Sequence, residues 1–384
     1  MNAFEFNTVA NTTFGNGRSA ELGHIAGTLG MQKPLVVTDP GILEHGLFAT
    51  AEHGLKEAGA EVVLFSDVVA DPPEQTIFAA LDLAKTNQCD GVIGFGGGSS
   101  MDVAKLIAVL MAGDQALPEI YGVDMISGTR APLIQVPTTA GTGSEATAVA
   151  IVTTGESTKA GVVSKVMLAD HIILDPELTL GLPPHVTAAT GIDAMVHAIE
   201  AFTSKRLKNP MSDMVAIRAL QLMAPNIETA VKQGDDLTAR SAMLLGAMYA
   251  GQAFANAPVA AVHALAYPLG GTFHIAHGLS NSLVLPHVLR FNATAATDQY
   301  QQLAQIILGD RWVAQGDHPA NQLADYFLAL ARDLGLQTTL REMSIADTDL
   351  DNLAEQAMLQ QRLLINNPRE VALADARAIY QQAF

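Results

Sequence analysis

Acidic and imidazole side chains in the C-terminal half have spacings suited to metal binding. Asp193 and His197 are four residues apart, which on an α-helix places both side chains on one face, close enough to share a metal ion. A structural alternative is that Thr190 and Asp193 form a capping pair at a helix start, with His197 an ordinary helix residue.

Further histidines fall in two short blocks of apolar and small residues. These blocks contain His263, followed by Tyr267, and the pair His274 and His277. Buried neutral histidines need polar partners, and a shared metal supplies one. One carboxylate with three imidazoles suits a divalent ion such as Fe(II) or Zn(II), and affinity order alone does not choose between them.

A glycine-rich segment, 94–102, follows an apolar run and opens a predicted helix. Gly96, Gly97 and Gly98 allow the backbone to approach a ligand closely, and the N–H groups at the helix start favour an anion such as a pyrophosphate. The alternative is a tight strand-to-helix turn, with Ser99 as the N-cap and Asp102 completing a capping box.

A second match to the dinucleotide fingerprint lies near the N-terminus, at Gly15, Gly17 and Ala20. The strand expected before it is weak and polar, so we interpret these glycines as turn residues and place the pyrophosphate at residues 96–99. We interpret Asp39, at the end of the next strand, as a ligand of the adenosine ribose of the cofactor. Its carboxylate would repel a 2′-phosphate and favour NAD over NADP; the alternative is an exposed turn aspartate.

Small hydroxyl residues and glycines are concentrated in segment 137–145, again after an apolar run. Thr138, Thr139, Thr142 and Ser144 can bond a cofactor carboxamide or phosphate. An unusual turn held by its own hydroxyls is the alternative. Two such loops at the ends of two parallel strands strengthen the cofactor-binding interpretation of both, because open α/β sheets bind ligands at the carboxyl ends of their strands.

Apolar runs and helical stretches alternate up to about residue 180. The runs 35–37, 62–65, 92–95 and 133–136 are typical of strands buried on both faces of a parallel sheet, with helices predicted over 74–85 and 101–111. Residues 1–180 are therefore predicted to form a Rossmann-like, doubly wound parallel sheet domain. Residues 181–384, which include the helical patterns 213–223 and 239–255, are predicted to be all-helical, with a site in the cleft between the domains.

The composition narrows the class of partner. The 384 residues carry a net charge of −18, which disfavours nucleic acid and anionic membrane surfaces as partners. No apolar run is long enough for a membrane span, and the N-terminus lacks the features of a secretory signal. The single cysteine, Cys89, excludes an intramolecular disulfide and a thiolate-rich zinc site. A cytoplasmic protein is expected.

Taken together, the motifs resemble those of the iron-containing (group III) alcohol dehydrogenases over nearly the full length. The segments that carry the resemblance are 96–105, 137–145, 191–200, 263–271, 277–281 and 285–288. The resemblance implies an N-terminal dinucleotide-binding domain, a C-terminal helical domain, iron in the cleft between them, and a homodimer or larger homo-oligomer.

Site residues follow from the resemblance by motif. It implies Asp193, His197, His263 and His277 as metal ligands. It also implies a cofactor site formed by Asp39, Gly96, Gly97, Gly98, Ser99, Asp102, Thr138, Thr139, Thr142, Ser144 and Lys159. Many members have a second histidine four residues after the equivalent of His263. Tyr267 replaces it here, and His274 is the substitute candidate for the proton route.

The expected function is a metal-dependent, NAD-linked alcohol dehydrogenase. It would transfer a hydride reversibly between NAD and a small primary alcohol, diol or hydroxy acid. Two alternatives are a metal-dependent lyase of the dehydroquinate-synthase-like type and a non-catalytic NAD-binding sensor. A metal hydrolase would have no need of the glycine-rich loop.

Overall fold

The computed structural model describes residues 3–155 and 158–384. The chain divides into two compact units. One comprises Asn7–Gly181, and the other comprises Leu182–Phe384 together with the N-terminal segment that ends at Phe6.

The first unit is an α/β domain. Its strands are β1 (Asn11–Phe14), β2 (Pro34–Val37), β3 (Val63–Phe65), β4 (Gly91–Gly96), β5 (Gly122–Val123), β6 (Leu133–Pro137), β7 (Val149–Thr154), β8 (Thr158–Val163) and β9 (His171–Leu174). Its α-helices are α1 (Leu22–Thr28), α2 (Pro40–Glu44), α3 (Ala49–Glu57), α4 (Glu74–Thr86) and α5 (Gly98–Ala112).

The main sheet has the strand order β1-β9-β6-β4-β2-β3, and its neighbouring strands pair in parallel. From β2 the chain moves outward to β3, returns to β4 on the other side of β2, and continues through β6 to β9. The strand order therefore reverses between β2 and β4. In open α/β sheets, such a switch point is where ligands bind.

Burial of the strands explains most of the sequence pattern. All residues of β2, β4 and β6 are buried, as expected for central parallel strands covered on both faces. The prediction of two buried faces is wrong for the run 62–65. There the strand β3 forms the edge of the sheet, and Leu64 is 40% exposed.

A three-stranded sheet, β5-β8-β7, interrupts the alternation of strands and helices after β6. β7 and β8 pair in antiparallel fashion, and β5 joins β8 in parallel. Sequence reasoning missed this sheet. β7 is only partly buried, and β5 is an exposed strand of two residues.

The second unit is helical throughout its described elements. Its α-helices are α6 (Pro184–Thr203), α7 (Pro210–Met223), α8 (Ile227–Lys232), α9 (Leu237–Asn256), α10 (Ala261–Phe273), α11 (His277–Asn292), α12 (Thr297–Leu308), α13 (Pro319–Asp333), α14 (Leu350–Met358), α15 (Gln361–Leu364) and α16 (Leu373–Ala383). The predicted fold class, a parallel α/β sheet domain followed by a helical domain, is confirmed.

Local signals in the sequence explain where several of these helices begin and how they pack. The Asn209 side chain accepts hydrogen bonds from the N–H groups of Met211 and Ser212 and so begins α7, while Asp236 caps α9. Gly246 of α9 packs against α7 so closely that a Cβ there would lie 2.5 Å from Met223 Cγ. None of the helices described for residues 3–155 and 158–384 combines the length and apolar character of a membrane-spanning helix.

Candidate metal centre and cofactor-binding loops

Four side chains of the helical unit converge on one point. One ligand atom from each of Asp193, His197, His263 and His277 lies within 4.8 Å of the other three. Asp193 Oδ1 is 3.9 Å from His197 Nε2, 3.9 Å from His263 Nε2 and 3.7 Å from His277 Nε2. Asp193, His197 and His263 are buried, whereas the His277 side chain is 43% exposed.

Three helices position this cluster. Asp193 and His197 lie in the middle of the 20-residue helix α6, so the alternative in which Asp193 caps a helix start is wrong. His277 is the first residue of α11, and the next residue allows α11 to approach α6. A Cβ on Gly278 would lie 2.4 Å from the Ala189 carbonyl oxygen. A glycine is therefore required for His277 to reach Asp193.

Two buried residues that sequence reasoning did not single out contact the cluster. Glu200 Oε2 lies 2.6 Å from His263 Nδ1, and Glu200 Oε1 accepts a 2.7 Å hydrogen bond from the N–H of Val262. Asn281 Nδ2 donates a 2.6 Å hydrogen bond to Asp193 Oδ1. The spacing of Asp193, His197 and Glu200 places all three on one face of α6, a signal that could have identified Glu200.

The charge of Asp193 is maintained by its neighbours. Burial alone would raise the pKa of this carboxyl group, but the imidazoles of His197, His277 and His263 and the hydrogen bond from Asn281 together lower it. The group is therefore an ionised acceptor, as a metal ligand has to be.

Aromatic residues line two sides of the cluster. Phe254 stacks on the His197 ring with a centroid separation of 4.5 Å, and the His197 and His263 rings stack at 4.8 Å. The Tyr267 ring centroid is 6.0 Å from that of His277. Tyr267 thus lies beside the exposed ligand, as its candidate role in proton transfer requires.

The donor set fits a divalent transition metal. One carboxylate and three imidazole nitrogens from the helices α6, α10 and α11 are gathered at one point, and two of these ligands are held by buried hydrogen-bonding partners. Such a set suits Fe(II) or Zn(II). His274 is not part of it. This exposed residue ends α10 in a left-handed conformation, with φ of 55°.

In the α/β unit, the predicted glycine-rich loop lies at the switch point of the sheet, directly after β4. The interpretation of Ser99 as an N-cap is wrong, because α5 begins at Gly98 and its N-cap is Gly97, which has no side chain to bond. The N–H groups of the first turn of α5 are thus not capped by a side chain of the N-cap residue, as an anion site requires.

Asp39 lies across the switch point, at the end of β2. Its Oδ1 accepts a 3.2 Å hydrogen bond from the N–H of Ile42 and caps α2. Its Oδ2 would be 3.3 Å from a Cβ on Gly96. The half-buried carboxylate is therefore next to the glycine-rich loop and is not a freely exposed turn residue.

The threonine-rich loop that follows β6 packs against the glycine-rich loop. A Cβ on Gly98 would lie 2.8 Å from Thr142 Cγ2, and one on Gly97 would lie 3.8 Å from Thr139 Cγ2. Thr139 and Thr142 are half-buried, whereas Thr138 is buried. Thr139 and Thr142 are thus the hydroxyl residues that border the glycine-rich loop.

Two other predicted cofactor ligands, Asp102 and Ser144, bond mainly within the protein. Ser144 Oγ donates to Asp102 Oδ1 over 2.5 Å, and Lys105 Nζ donates to both side chains. Lys105 also donates to Thr147 Oγ1 and to the carbonyl of Val149. Burial lowers the pKa of Lys105, although Asp102 and Glu145 oppose this shift. This network supports the alternative of a loop held by its own polar groups.

Two more polar residues of this unit are a predicted cofactor ligand, Lys159, and a buried carboxyl group, Glu145. Lys159 forms an ion pair with Asp71 and donates to Thr153 Oγ1. Glu145 is 2% exposed, and its burial raises the pKa of the carboxyl group to about 7.

The N-terminal fingerprint match is occupied by a side chain of the protein itself. Asp175 accepts hydrogen bonds from the N–H groups of Gly17 and Ser19, at 3.0 and 2.9 Å. Gly15 and Gly17 both have positive φ, which agrees with their interpretation as turn residues. This turn also follows β1, the edge strand farthest from β3, so it lies away from the switch point.

Comparison with known proteins identifies the family of this chain. Residues 10–176 match the family model described as iron-containing alcohol dehydrogenase, and residues 187–384 match the model for the C-terminal part of that family. The chain belongs to the iron-containing alcohol dehydrogenase family, and it is an oxidoreductase of the alcohol dehydrogenase class.

Similar proteins cover nearly the whole chain. Long-chain-alcohol dehydrogenase 1 of Geobacillus thermodenitrificans is 40% identical over 93% of this chain and 90% of the relative. The 1,3-propanediol dehydrogenase of Klebsiella pneumoniae is 35% identical over 97% of this chain and 96% of the relative. The crystal structure of a 1,3-propanediol oxidoreductase has a TM-score of 0.96 at 34% identity, with both chains fully covered.

Proposed function

We propose that the protein catalyses reversible, NAD-linked oxidation of a small primary alcohol, diol or hydroxy acid, with Fe(II) as its working metal and Zn(II) able to replace it. The observation that carries the proposal is the gathering of Asp193, His197, His263 and His277 ligand atoms within 4.8 Å. When bound, the metal supplies Lewis-acid polarisation of the substrate oxygen and the nicotinamide accepts the hydride.

The residues around the cluster have distinct parts in this proposal. Asp193 and the three histidines bind the metal, and the exposed side of His277 gives a substrate access to the ligand atoms. Tyr267, beside His277, is the first candidate to carry the substrate proton. His274 is the second candidate, because it lies only three residues before His277.

The cofactor is assigned to the switch point of the sheet. The first turn of α5, at Gly98 and Ser99, would hold the pyrophosphate, with Thr139 and Thr142 at its border. Asp39 would accept from the adenosine ribose and disfavour NADP. Support for NAD comes also from sulfoacetaldehyde reductase of Bifidobacterium kashiwanohense, solved in complex with NAD+, which has a TM-score of 0.89 at 29% identity.

We take the substrate class from the relatives, which include enzymes named for long-chain alcohols, 1,3-propanediol and sulfoacetaldehyde. What these names share is a primary alcohol or its aldehyde. A homodimer or larger homo-oligomer and a cytoplasmic location complete the proposal.

The test is NADH formation, followed at 340 nm. Protein stripped of metal is reloaded anaerobically with Fe(II) or Zn(II) and supplied with NAD and a panel of short and long primary alcohols, 1,2- and 1,3-diols and 4-hydroxybutyrate. We expect turnover that requires added metal and that ranks the panel. Metal-free protein from the same preparation is the control.

Two outcomes would contradict the proposal. Transient reduction of NAD without net NADH would indicate the lyase chemistry considered above. NAD binding without turnover of any alcohol, with either metal, would indicate a sensor.

A further inference from the structure

We infer that Glu200 and Asn281 hold His263 in a single tautomer, with the proton on Nδ1 and the Nε2 lone pair directed at the metal position. Both are positioning residues, since they act through His263 and Asp193. The inference rests on the proposed metal site and adds two residues outside the ligand set.

The Nδ1 side of the ring faces an acceptor. Glu200 Oε2 lies 2.6 Å from His263 Nδ1, and both side chains are buried, with 3% exposure each. A carboxylate can only accept hydrogen bonds, so Nδ1 has to carry the proton. The other carboxylate oxygen is fixed as well, because it accepts from the N–H of Val262 in the first turn of α10.

The Nε2 side of the ring faces a donor. Asn281 Nδ2 lies 3.3 Å from His263 Nε2 and 3.2 Å from His277 Nε2. The orientation of an amide has to be inferred from its partners, and here Asp193 decides it. Exchanging the amide atoms would place Asn281 Oδ1 against Asp193 Oδ1 at 2.6 Å, with two acceptors facing each other. The amide N–H groups therefore point into the cluster.

The two contacts agree on one tautomer. With the proton on Nε2, His263 would face the Asn281 donor with a donor and the Glu200 acceptor with an acceptor. Both contacts would be repulsive in a buried site, where an unmatched polar group is costly. The observed arrangement leaves Nε2 as the available lone pair, and it adds a second carboxylate charge next to the ligand set. Partners of this kind orient metal-bound histidines and raise their basicity.

The isosteric variant Glu200→Gln reverses the pattern. The N–H of Val262 requires an oxygen, so the amide oxygen of Gln would take that position and its NH2 group would face His263 Nδ1. Nδ1 then has to accept, and the proton moves to Nε2, where it blocks the metal ligand. We expect a 10–100-fold loss of metal affinity, the usual range for such partners, without loss of fold.

The experiment measures the tautomer and the metal affinity separately. Metal-free protein labelled with 15N-histidine reports which ring nitrogen carries the proton, and the His263 signals are identified by their absence in His263→Asn. Competition of Zn(II) with a chromophoric chelator gives the affinity. The matched control is Asp175→Asn, which changes another buried carboxylate that accepts backbone N–H groups, but in the α/β unit.

Glu200→Gln should move the His263 proton to Nε2 and weaken Zn(II) binding, while Asp175→Asn should leave both unchanged. The inference is overturned if Glu200→Gln retains the wild-type tautomer, or if its affinity stays within about twofold of wild type. Neither readout involves NAD or an alcohol. Failure of the proposed reaction would therefore leave this result intact, and the reverse also holds.

Discussion

The metal centre and the cofactor loops differ in what their polar side chains bond to. In the helical unit, Asp193 and the three histidines point their ligand atoms at one shared position, and the outer atoms of His263 are held by Glu200. In the α/β unit, polar side chains of the loops bond largely to each other, as Lys105 does with Asp102 and Ser144. There the backbone of the glycine-rich loop, rather than its side chains, is expected to contact the cofactor.

This difference distinguishes two kinds of residue within the sequence motifs: residues that take part in a site directly, and residues that hold the backbone of the site in place. If the proposed function holds, a side chain at the candidate metal centre is needed for chemistry, and its removal should reduce activity more than stability. A side chain in the network of the cofactor loops holds the backbone in shape, and its removal should reduce stability first. Variants that give the opposite result in either unit would contradict this comparison.

The largest effect on activity is expected for His277→Ala. His277 is a proposed metal ligand whose side chain is 43% exposed, so its truncation removes little buried surface. Loss of a ligand should remove most of the Lewis-acid contribution of several kcal/mol, and kcat should fall by about a thousandfold or more. Metal content per chain and kcat with saturating NAD are the measurements.

The control for His277→Ala is His185→Ala, an exposed histidine near the start of α6. It should retain wild-type kcat and metal content. Turnover by His277→Ala within about tenfold of wild type would remove the basis for assigning the metal to this cluster. A collapse of its thermal unfolding transition would place His277 among structural residues instead.

The next largest effect is a loss of stability in Lys105→Met. Lys105 is 1% exposed and donates to Asp102, Ser144, Thr147 and Val149. Breaking a buried pair by removing one partner costs about 3–5 kcal/mol, because it leaves the other charge uncompensated. Urea unfolding, followed by circular dichroism, should show this decrease in the free energy of unfolding.

Lys85→Met is the matched control, because Lys85 is an exposed lysine in the last turn of α4. It should change the free energy of unfolding by less than about 0.5 kcal/mol. If Lys105→Met were as stable as wild type and only weakened NAD binding, Lys105 would be a cofactor ligand and the comparison between the units would be wrong.

The sequence was sufficient to predict the fold where burial was uniform. The central strands β2, β4 and β6 were visible as continuous apolar runs because both faces are covered. The sheet formed by β5, β7 and β8 was not visible. β7 is only partly buried, β5 is exposed, and β5 pairs with β8, a strand distant in sequence, which periodicity does not report.

The same distinction applies to the sites. Asp193 and His197 reveal themselves by helical spacing, but the meeting of α6, α10 and α11 depends on a packing detail, the close approach at Gly278. Asn281 follows His277 by four residues, yet its role depends on which atom of its amide faces Asp193. The alternative in which Ser99 caps the helix is wrong because α5 begins one residue earlier, at Gly98, and its N-cap Gly97 has no side chain to signal the helix start.

The smallest effect is expected for Asp39→Asn, and it concerns cofactor choice alone. Asn keeps an oxygen for the N–H of Ile42, so the cap of α2 should survive, and only the negative charge is lost. Because that charge would lie near a 2′-phosphate, its removal should raise kcat/KM for NADP relative to NAD by about tenfold, the equivalent of 1.4 kcal/mol. Asp67→Asn changes an exposed aspartate after the edge strand β3 and is the control.

If Asp39→Asn left the ratio of kcat/KM for NADP and NAD unchanged, as Asp67→Asn should, the ribose would not bind at the end of β2. The cofactor would then have to lie elsewhere along the carboxyl edge of the sheet, and the assignment of the switch point as its site would fail.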